Sequence, residues 1–228
     1  MQGYTPVKDR IPYVKALIYG KAGAGKTRFA ADAPKPVYFD FESSTETLRY
    51  WPEYSETPVK KPKEIQECRR DILKAITDPE IETVIIDSIT TALDFYMRAE
   101  AAKRATKRDP FEFWEQDYKY ATQVFSDLFG FLADAPINVV VIGHRKVVYD
   151  KDTGDISGIF PDITPRLREN LTRLVNVVGY MEAKASEAKG STTRKLYINA
   201  TNTIEAKNRL NIQETFVVNP TWKELFNA

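Results

Sequence analysis

Eight consecutive residues carry the clearest chemistry in this chain: Gly20, Lys21, Ala22, Gly23, Ala24, Gly25, Lys26 and Thr27. They satisfy the spacing G-x-x-x-x-G-K-[ST], a phosphate-binding loop when it follows a strand and opens a helix. Three glycines and two alanines let the backbone wrap closely, so successive N–H groups and a helix N-terminus converge on an anion. Lys26 would then reach the β- and γ-phosphates, and the Thr27 hydroxyl would ligate Mg²⁺. A second candidate metal ligand is Asp87, which ends the apolar run Thr83-Val84-Ile85-Ile86. A carboxylate there is costly if buried alone, so a hydrated cation is a sensible partner; capping the next helix is the alternative. Ser88 or Thr90 would serve as that cap and leave Asp87 free.

Two more positions suggest catalysis. In Val37-Tyr38-Phe39-Asp40-Phe41-Glu42 the acids at 40 and 42 share a face by the two-residue period of a strand. Either carboxylate, at the mouth of a strand beside the loop, is placed to polarise a water for attack on a γ-phosphate. The run Val139 to Gly143 ends at His144, the only histidine. Its place at a strand's carboxyl edge argues for a role at the ligand rather than in packing.

These residues need a sheet to hold them. Apolar runs at 14–19, 37–42, 83–87, 139–143, 175–181 and 195–200 alternate with helical patterns, which predicts an α/β fold with a mostly parallel sheet flanked by helices. The first four runs are nearly continuously apolar, as strands covered on both faces are. A helix over 27–33 follows the loop. One over 63–76 aligns Ile65, Cys68, Ile72 and Ile76, and one over 111–132 aligns Trp114, Tyr118, Ala121, Phe125, Leu128 and Leu132. Cys68 on its stripe reads as a packing thiol, and the aromatic stripe as core. Segments 52–63 and 146–165 show no evident element, and a hairpin with its turn near Lys189-Gly190-Ser191 is expected toward the C-terminus.

Composition sets the bounds. The chain has 228 residues, 43% hydrophobic and 29% charged, which fits one large globular domain or one domain plus a small appendage. Thirty-three Lys and Arg against 32 Asp and Glu leave a formal charge of +1, so any polyanion site must be local. One cysteine excludes an internal disulfide, and one histidine excludes histidine-rich metal sites. No stretch approaches the roughly 20 apolar residues of a membrane span, and the start carries no leader-like apolar region; a cytoplasmic protein with no membrane partner is expected.

The loop, Phe39-Asp40-Phe41-Glu42 and Val84-Ile85-Ile86-Asp87-Ser88 together resemble the RecA-like ATPases. The resemblance implies a RecA-like core over 14–210, between an N-terminal segment 1–13 that would contact another subunit and a tail 211–228. It implies ATP and Mg²⁺ as cofactors. Glu42 becomes the water-activating base, with Asp40 in reserve, and His144 a polar sensor of the γ-phosphate that signals to a following DNA-binding loop. That loop holds Arg145, Lys146, Tyr149 and Lys151, a mix of cations and aromatics suited to single-stranded DNA, or to plain solvation. Arg104, Lys107 and Arg108 occupy the place of a first DNA loop, or cap a helix end. Lys207 and Arg209 resemble fingers reaching a neighbouring subunit's nucleotide, or an exposed charged turn.

Within the class, Ala33-Pro34-Lys35-Pro36-Val37, Ile142-Gly143-His144-Arg145 and the late Lys207-Asn208-Arg209 look like phage-encoded single-strand annealing recombinases of the Sak type. That implies self-assembly into rings or filaments and recombination of phage DNA in an infected bacterial cell, with a single-strand-binding protein as a further candidate partner. A P-loop kinase of a small molecule or nucleotide and a non-catalytic ATP-dependent loader are the competing readings; the first would want an arginine-rich lid, the second would tolerate loss of Glu42.

Overall fold

The computed structural model describes residues 13–104, 113–185 and 192–226. Its chain order is β1 (Lys15–Gly20), α1 (Lys26–Ala31), β2 (Pro36–Asp40), two short 3₁₀ turns (Ser44–Tyr50 and Pro52–Tyr54), β3 (Val59–Lys60), α2 (Ile65–Thr77), β4 (Thr83–Asp87), α3 (Ile89–Arg104) and α4 (Glu115–Asp134). There follow β5 (Asn138–Gly143), β6 (Arg145–Tyr149), β7 (Ile156–Pro161), α5 (Pro165–Leu174), β8 (Val177–Ala185), β9 (Thr192–Tyr197), β10 (Lys207–Asn208), β11 (Phe216–Val218) and α6 (Trp222–Phe226).

The main sheet runs β11-β9-β8-β1-β5-β4-β2-β3, with β10 also on β8. From β3 through β8 all neighbours are parallel; β9, β10 and β11 join antiparallel. Strand β1 lies between β5 and β8 while the chain leaves it for β2, further along the sheet. This makes the end of β1 a topological switch point, where open α/β sheets bind ligands. The alternation of side chains divides the core into two layers. Leu17, Val84, Ile86, Val139 and Val141 pack under the long helices, including Ile72 of α2, Phe125 of α4 and Leu171 of α5. Ala16, Ile18, Ile85, Val140 and Ile142 pack against Phe29 of α1 and Trp222 of α6 on the other face.

Two helices end on lysines borrowed from strands. The Lys15 ammonium donates to the carbonyls of Ala135, at 2.7 Å, and Ile137, at 2.5 Å, just past α4. The Lys207 ammonium does the same for α5, donating to the carbonyls of Thr172, of Arg173 at 3.3 Å and of Val175 at 2.8 Å. A cation at a helix C-terminus meets both the orphan carbonyls and the negative end of the dipole. Burial lowers both lysines to about 8, Lys15 against the pull of Asp134 and Lys207 with further help from Arg209.

Several expectations change in detail. Segment 146–165, expected to lack an element, is mostly the hairpin β6–β7, paired from Arg145 with Pro161 to Tyr149 with Ile156. Its turn is built on Asp150, whose Oδ1 accepts from the N–H groups of Asp152 and Thr153. Trp114 and Tyr118 are exposed rather than core, because α4 begins only at Glu115 and the face it buries runs through Asp117, Ala121, Phe125, Leu128 and Leu132. Cys68 is buried as expected, and burial pushes its thiol up to about 12. The β8–β9 hairpin forms, with its turn outside the described residues. The segment expected as a tail carries β11 and α6. Among the described residues no helix is long and apolar enough to cross a membrane.

Candidate functional site

The loop between β1 and α1 closes over the carboxyl edge of the sheet. Gly20 is required by close approach: a Cβ there would lie 2.1 Å from the Met181 carbonyl oxygen of β8. Gly25 has φ 101°, a left-handed conformation that frees the following N–H groups to point outward at the start of α1. Lys21, Ala22 and Gly23 are exposed and Ala24 is buried. Lys26 is buried, and its ammonium bends back to donate to the carbonyls of Gly20, at 3.1 Å, and Lys21, at 3.0 Å. Burial lowers its pKa, against the pull of Asp87 and Glu42. Only weak neutral acceptors hold this ammonium, so an arriving phosphate oxygen offers a stronger, charge-assisted partner.

Thr27 and Asp87 meet directly: the Thr27 hydroxyl donates to Asp87 Oδ2 at 2.8 Å, and the Ser44 hydroxyl donates to the same oxygen at 2.6 Å. Asp87 is 1% exposed. Burial raises its pKa to about 6, assisted by the charges of Glu42 and Asp40 and opposed by the two hydroxyls. Added positive charge would relieve that strain on the carboxylate. One hydroxyl and one carboxylate fit Mg²⁺, which fills its octahedron largely from phosphate and water. Among the described residues no cluster of three or more His, Cys, Asp or Glu forms a cage that would hold a metal by itself. When bound, Mg²⁺ would neutralise charge on the β- and γ-phosphates.

Glu42 and His144 come together although 102 positions separate them, with His144 Nε2 2.6 Å from Glu42 Oε1. The same oxygen accepts from the Thr91 hydroxyl at 2.7 Å and from the Ser88 hydroxyl. Burial alone would raise the Glu42 pKa, but these three bonds hold it down to about 2. The His144 pKa is raised, first by the bond to Glu42, against burial. Ser88 also accepts from the Thr91 N–H at 3.3 Å and so caps α3, while Thr90 accepts the His144 backbone N–H at 3.1 Å. The cap therefore frees Asp87, as the sequence suggested. Glu42 is an ionised carboxylate at neutral pH, fixed by one oxygen and able to orient a water with the other.

Asp40 has a different task. It is 3% exposed, and it accepts the backbone N–H groups of Glu42, at 2.9 Å, and Thr45, at 3.2 Å, and the Thr45 hydroxyl at 2.5 Å. Its oxygens are spent on shaping the turn that presents Glu42 and Ser44, so the reserve role as base does not suit it. Sequence reasoning missed Ser44 and Thr91; the only local signal was a run of hydroxyl residues after each acid-ended strand.

Residues 13–210 match the family model for the AAA domain (AAA_24). The chain belongs to that family. A KaiC-like protein from the hyperthermophilic archaeon Pyrococcus horikoshii has a similar fold, with a TM-score of 0.51 and 14% identity over 91% of this chain and 89% of that one. No curated protein sequence matches the chain. The protein is thus an AAA-type, nucleotide-binding P-loop ATPase domain with a RecA-like fold.

The remaining candidates are dispersed. Lys146, Tyr149 and Lys151 are exposed on the β6–β7 hairpin, whereas Arg145 is partly buried and donates to the Tyr180 hydroxyl at 2.8 Å. Arg104 ends α3; Lys107 and Arg108 lie outside the described residues. Lys207 and Arg209 sit beside the amino end of β8, opposite the phosphate loop of their own chain, where Lys207 pairs with Val178 and the Arg209 N–H donates to Asn176 O. The Lys207 ammonium is already committed to α5.

Proposed function

We propose that the protein hydrolyses ATP with Mg²⁺, binds single-stranded DNA and promotes annealing and recombination as a self-assembling, Sak-type phage recombinase. The observation that carries this reading is the contact between Glu42 and His144. His144 is followed at once by Arg145, the first residue of the β6–β7 hairpin, so the group that holds the hydrolytic carboxylate is covalently joined to a candidate DNA-binding element. A γ-phosphate arriving beside Glu42 competes for the imidazole, and any shift of His144 moves the base of the hairpin. Lys26 binds phosphate, Thr27 and Asp87 hold the cation, and Glu42 orients the attacking water. Exposed Lys146 and Lys151 would meet DNA phosphates and exposed Tyr149 a base.

The test is ATP turnover with and without single-stranded DNA, on protein imaged in the same mixtures for rings or filaments. DNA should stimulate turnover, and Lys146→Ala with Lys151→Ala should remove the stimulation while leaving DNA-free turnover intact. ATP turnover indifferent to DNA, in a protein that never retains DNA at low salt, would overturn the recombinase reading.

A further inference from the structure

Two exposed surfaces of opposite charge lie outside the nucleotide site. The first is the end of the β6–β7 hairpin. Asp150, Asp152 and Asp155 are exposed there against one cation, Lys151, and Val148 and Ile156 beside them are 40% and 43% exposed. The turn is set before any partner arrives. Asp150 Oδ1 holds the N–H groups of Asp152 and Thr153, the Asp150 N–H donates to the Asp155 carbonyl at 2.8 Å, and Gly154 supplies a left-handed φ of 75°. The carboxylates of Asp152 and Asp155 have no partner among the described residues. A preformed turn loses little conformational freedom on binding.

The second surface is a shallow cavity of about 750 Å³ between α5 and β10. Two of its cations are occupied: Arg168 by Glu205 at 3.5 Å and by the Phe160 ring at 4.6 Å, and Lys207 by the end of α5. Arg166, Arg173 and Arg209 are exposed on its walls, their guanidinium groups without a partner among the described residues, and Glu169 is the unpaired carboxylate between them. Arg166 and Arg173 are seven positions apart, so two turns of α5 bring them to one face. Each surface carries an excess of one charge that its own chain leaves unneutralised. Three carboxylates with one ammonium face three guanidinium groups with one carboxylate. Guanidinium forks suit carboxylates, and arginine stems cover apolar side chains such as Val148 and Ile156.

We propose that the hairpin end of one molecule docks in the α5–β10 groove of a second copy of the chain. The proposal rests on the reading that the protein self-assembles, and it names the contact. The hairpin springs from the carboxyl end of β5, whereas β10 pairs with the amino end of β8, so the two patches differ. A contact between unlike patches is heterologous: it repeats from copy to copy and either closes into a ring or runs on as a filament. Exposed ion pairs contribute little singly and are screened by salt, so the association is weak for one contact and salt-sensitive. Lys146 lies back along the stem, which leaves that flank of the hairpin open to DNA.

The experiment is sedimentation velocity over a range of protein concentrations, at low and high salt, with and without Mg²⁺ and ATP, with binding of a labelled single-stranded oligonucleotide measured in parallel. It compares the wild type, a tip variant (Asp152→Lys with Asp155→Lys), a groove variant (Arg166→Glu with Arg173→Glu) and a chain carrying all four changes. All four side chains are exposed, so each variant should melt close to the wild type. Arg166→Glu alone, an acid in the first turn of α5, replaces the pair if Arg173→Glu melts early. The wild type should associate at low salt and dissociate at high salt. The tip and groove variants should each associate roughly tenfold or more weakly, and the chain with all four changes should recover most of that loss. Wild-type association that neither variant weakens, or a loss that the four changes together do not recover, would overturn this contact and leave self-assembly standing. A groove variant that loses the oligonucleotide but associates normally would make the groove a nucleic-acid surface and overturn the contact as well. A wild type that stays monomeric under every condition would refute self-assembly itself, and the contact with it.

Discussion

Replacing Lys207 by methionine separates two incompatible roles for that residue. As a finger acting on a neighbour's nucleotide, its loss would slow turnover and spare the fold. In the structure its ammonium instead closes α5 through the carbonyls of Thr172, Arg173 and Val175. A hydrogen bond to a charged group contributes about 1.5–3 kcal/mol, and a cation at a helix C-terminus about 0.3–1 kcal/mol. The three bonds share one ammonium, one of them is long, and water can reach part of the vacated end, so the expected loss is about 2–4 kcal/mol rather than their sum. For a chain of this size that lowers the melting temperature by roughly 4–16 °C. Thermal unfolding of Lys207→Met and Arg209→Ala, with turnover measured over a range of protein concentrations, checks it. Lys207→Met should melt early and Arg209→Ala should melt like the wild type. A Lys207→Met protein with unchanged melting, but turnover lost only where subunits associate, would refute the structural role and restore the finger.

Lys26→Ala should abolish detectable nucleotide binding in a titration, since among the described residues no other buried ammonium faces the loop. Glu42→Gln should retain ATP binding and slow hydrolysis by roughly 10²–10⁴, read in a single-turnover assay; wild-type rates would remove Glu42 from the water. The single histidine gives one imidazole C2 proton signal, whose titration midpoint should lie above 6.5 in the wild type and fall toward it in Glu42→Gln. Because the folded His144 pKa is raised, its contribution to stability is full below pH 6.5 and is lost as pH rises through the folded value, so the stability gap between wild type and His144→Ala should narrow in alkaline buffer. Asp40→Asn should lower stability measured in urea, because its carboxylate shapes the turn that presents Glu42 and Ser44.

The phosphate loop, Asp87 and the central strands were legible because each is encoded locally. Val139 to Ile142 can only be a strand covered on both faces, and a loop with glycines at 20, 23 and 25 has few other uses. The β6–β7 hairpin escaped notice because one of its faces is solvated and Lys146, Val147, Val148 and Tyr149 keep no clear alternation. Helix α5 shows only Leu167 and Leu171 as buried residues on a charged sequence, too thin a stripe to read. What lies furthest from local encoding is side-chain partnership. Nothing near Lys207 announces carbonyls some 32 to 35 residues earlier, and Asp40 and Glu42 look equivalent until the backbone turns and gives one of them the N–H groups.

Trp222 is 1% exposed, its ring lies 6.1 Å from that of Phe29 on α1, and its backbone N–H donates to Asp32, 190 positions earlier. The helix that carries Lys26 and Thr27 is thus synthesised long before the residue that holds its outer face. At a translation rate of about 5–20 residues per second, that interval is about 10–40 s. During it the nascent nucleotide helix has one apolar side open. A ribosome-bound chain should therefore gain its affinity for nucleotide late and abruptly, when Trp222 docks, rather than when the phosphate loop first emerges.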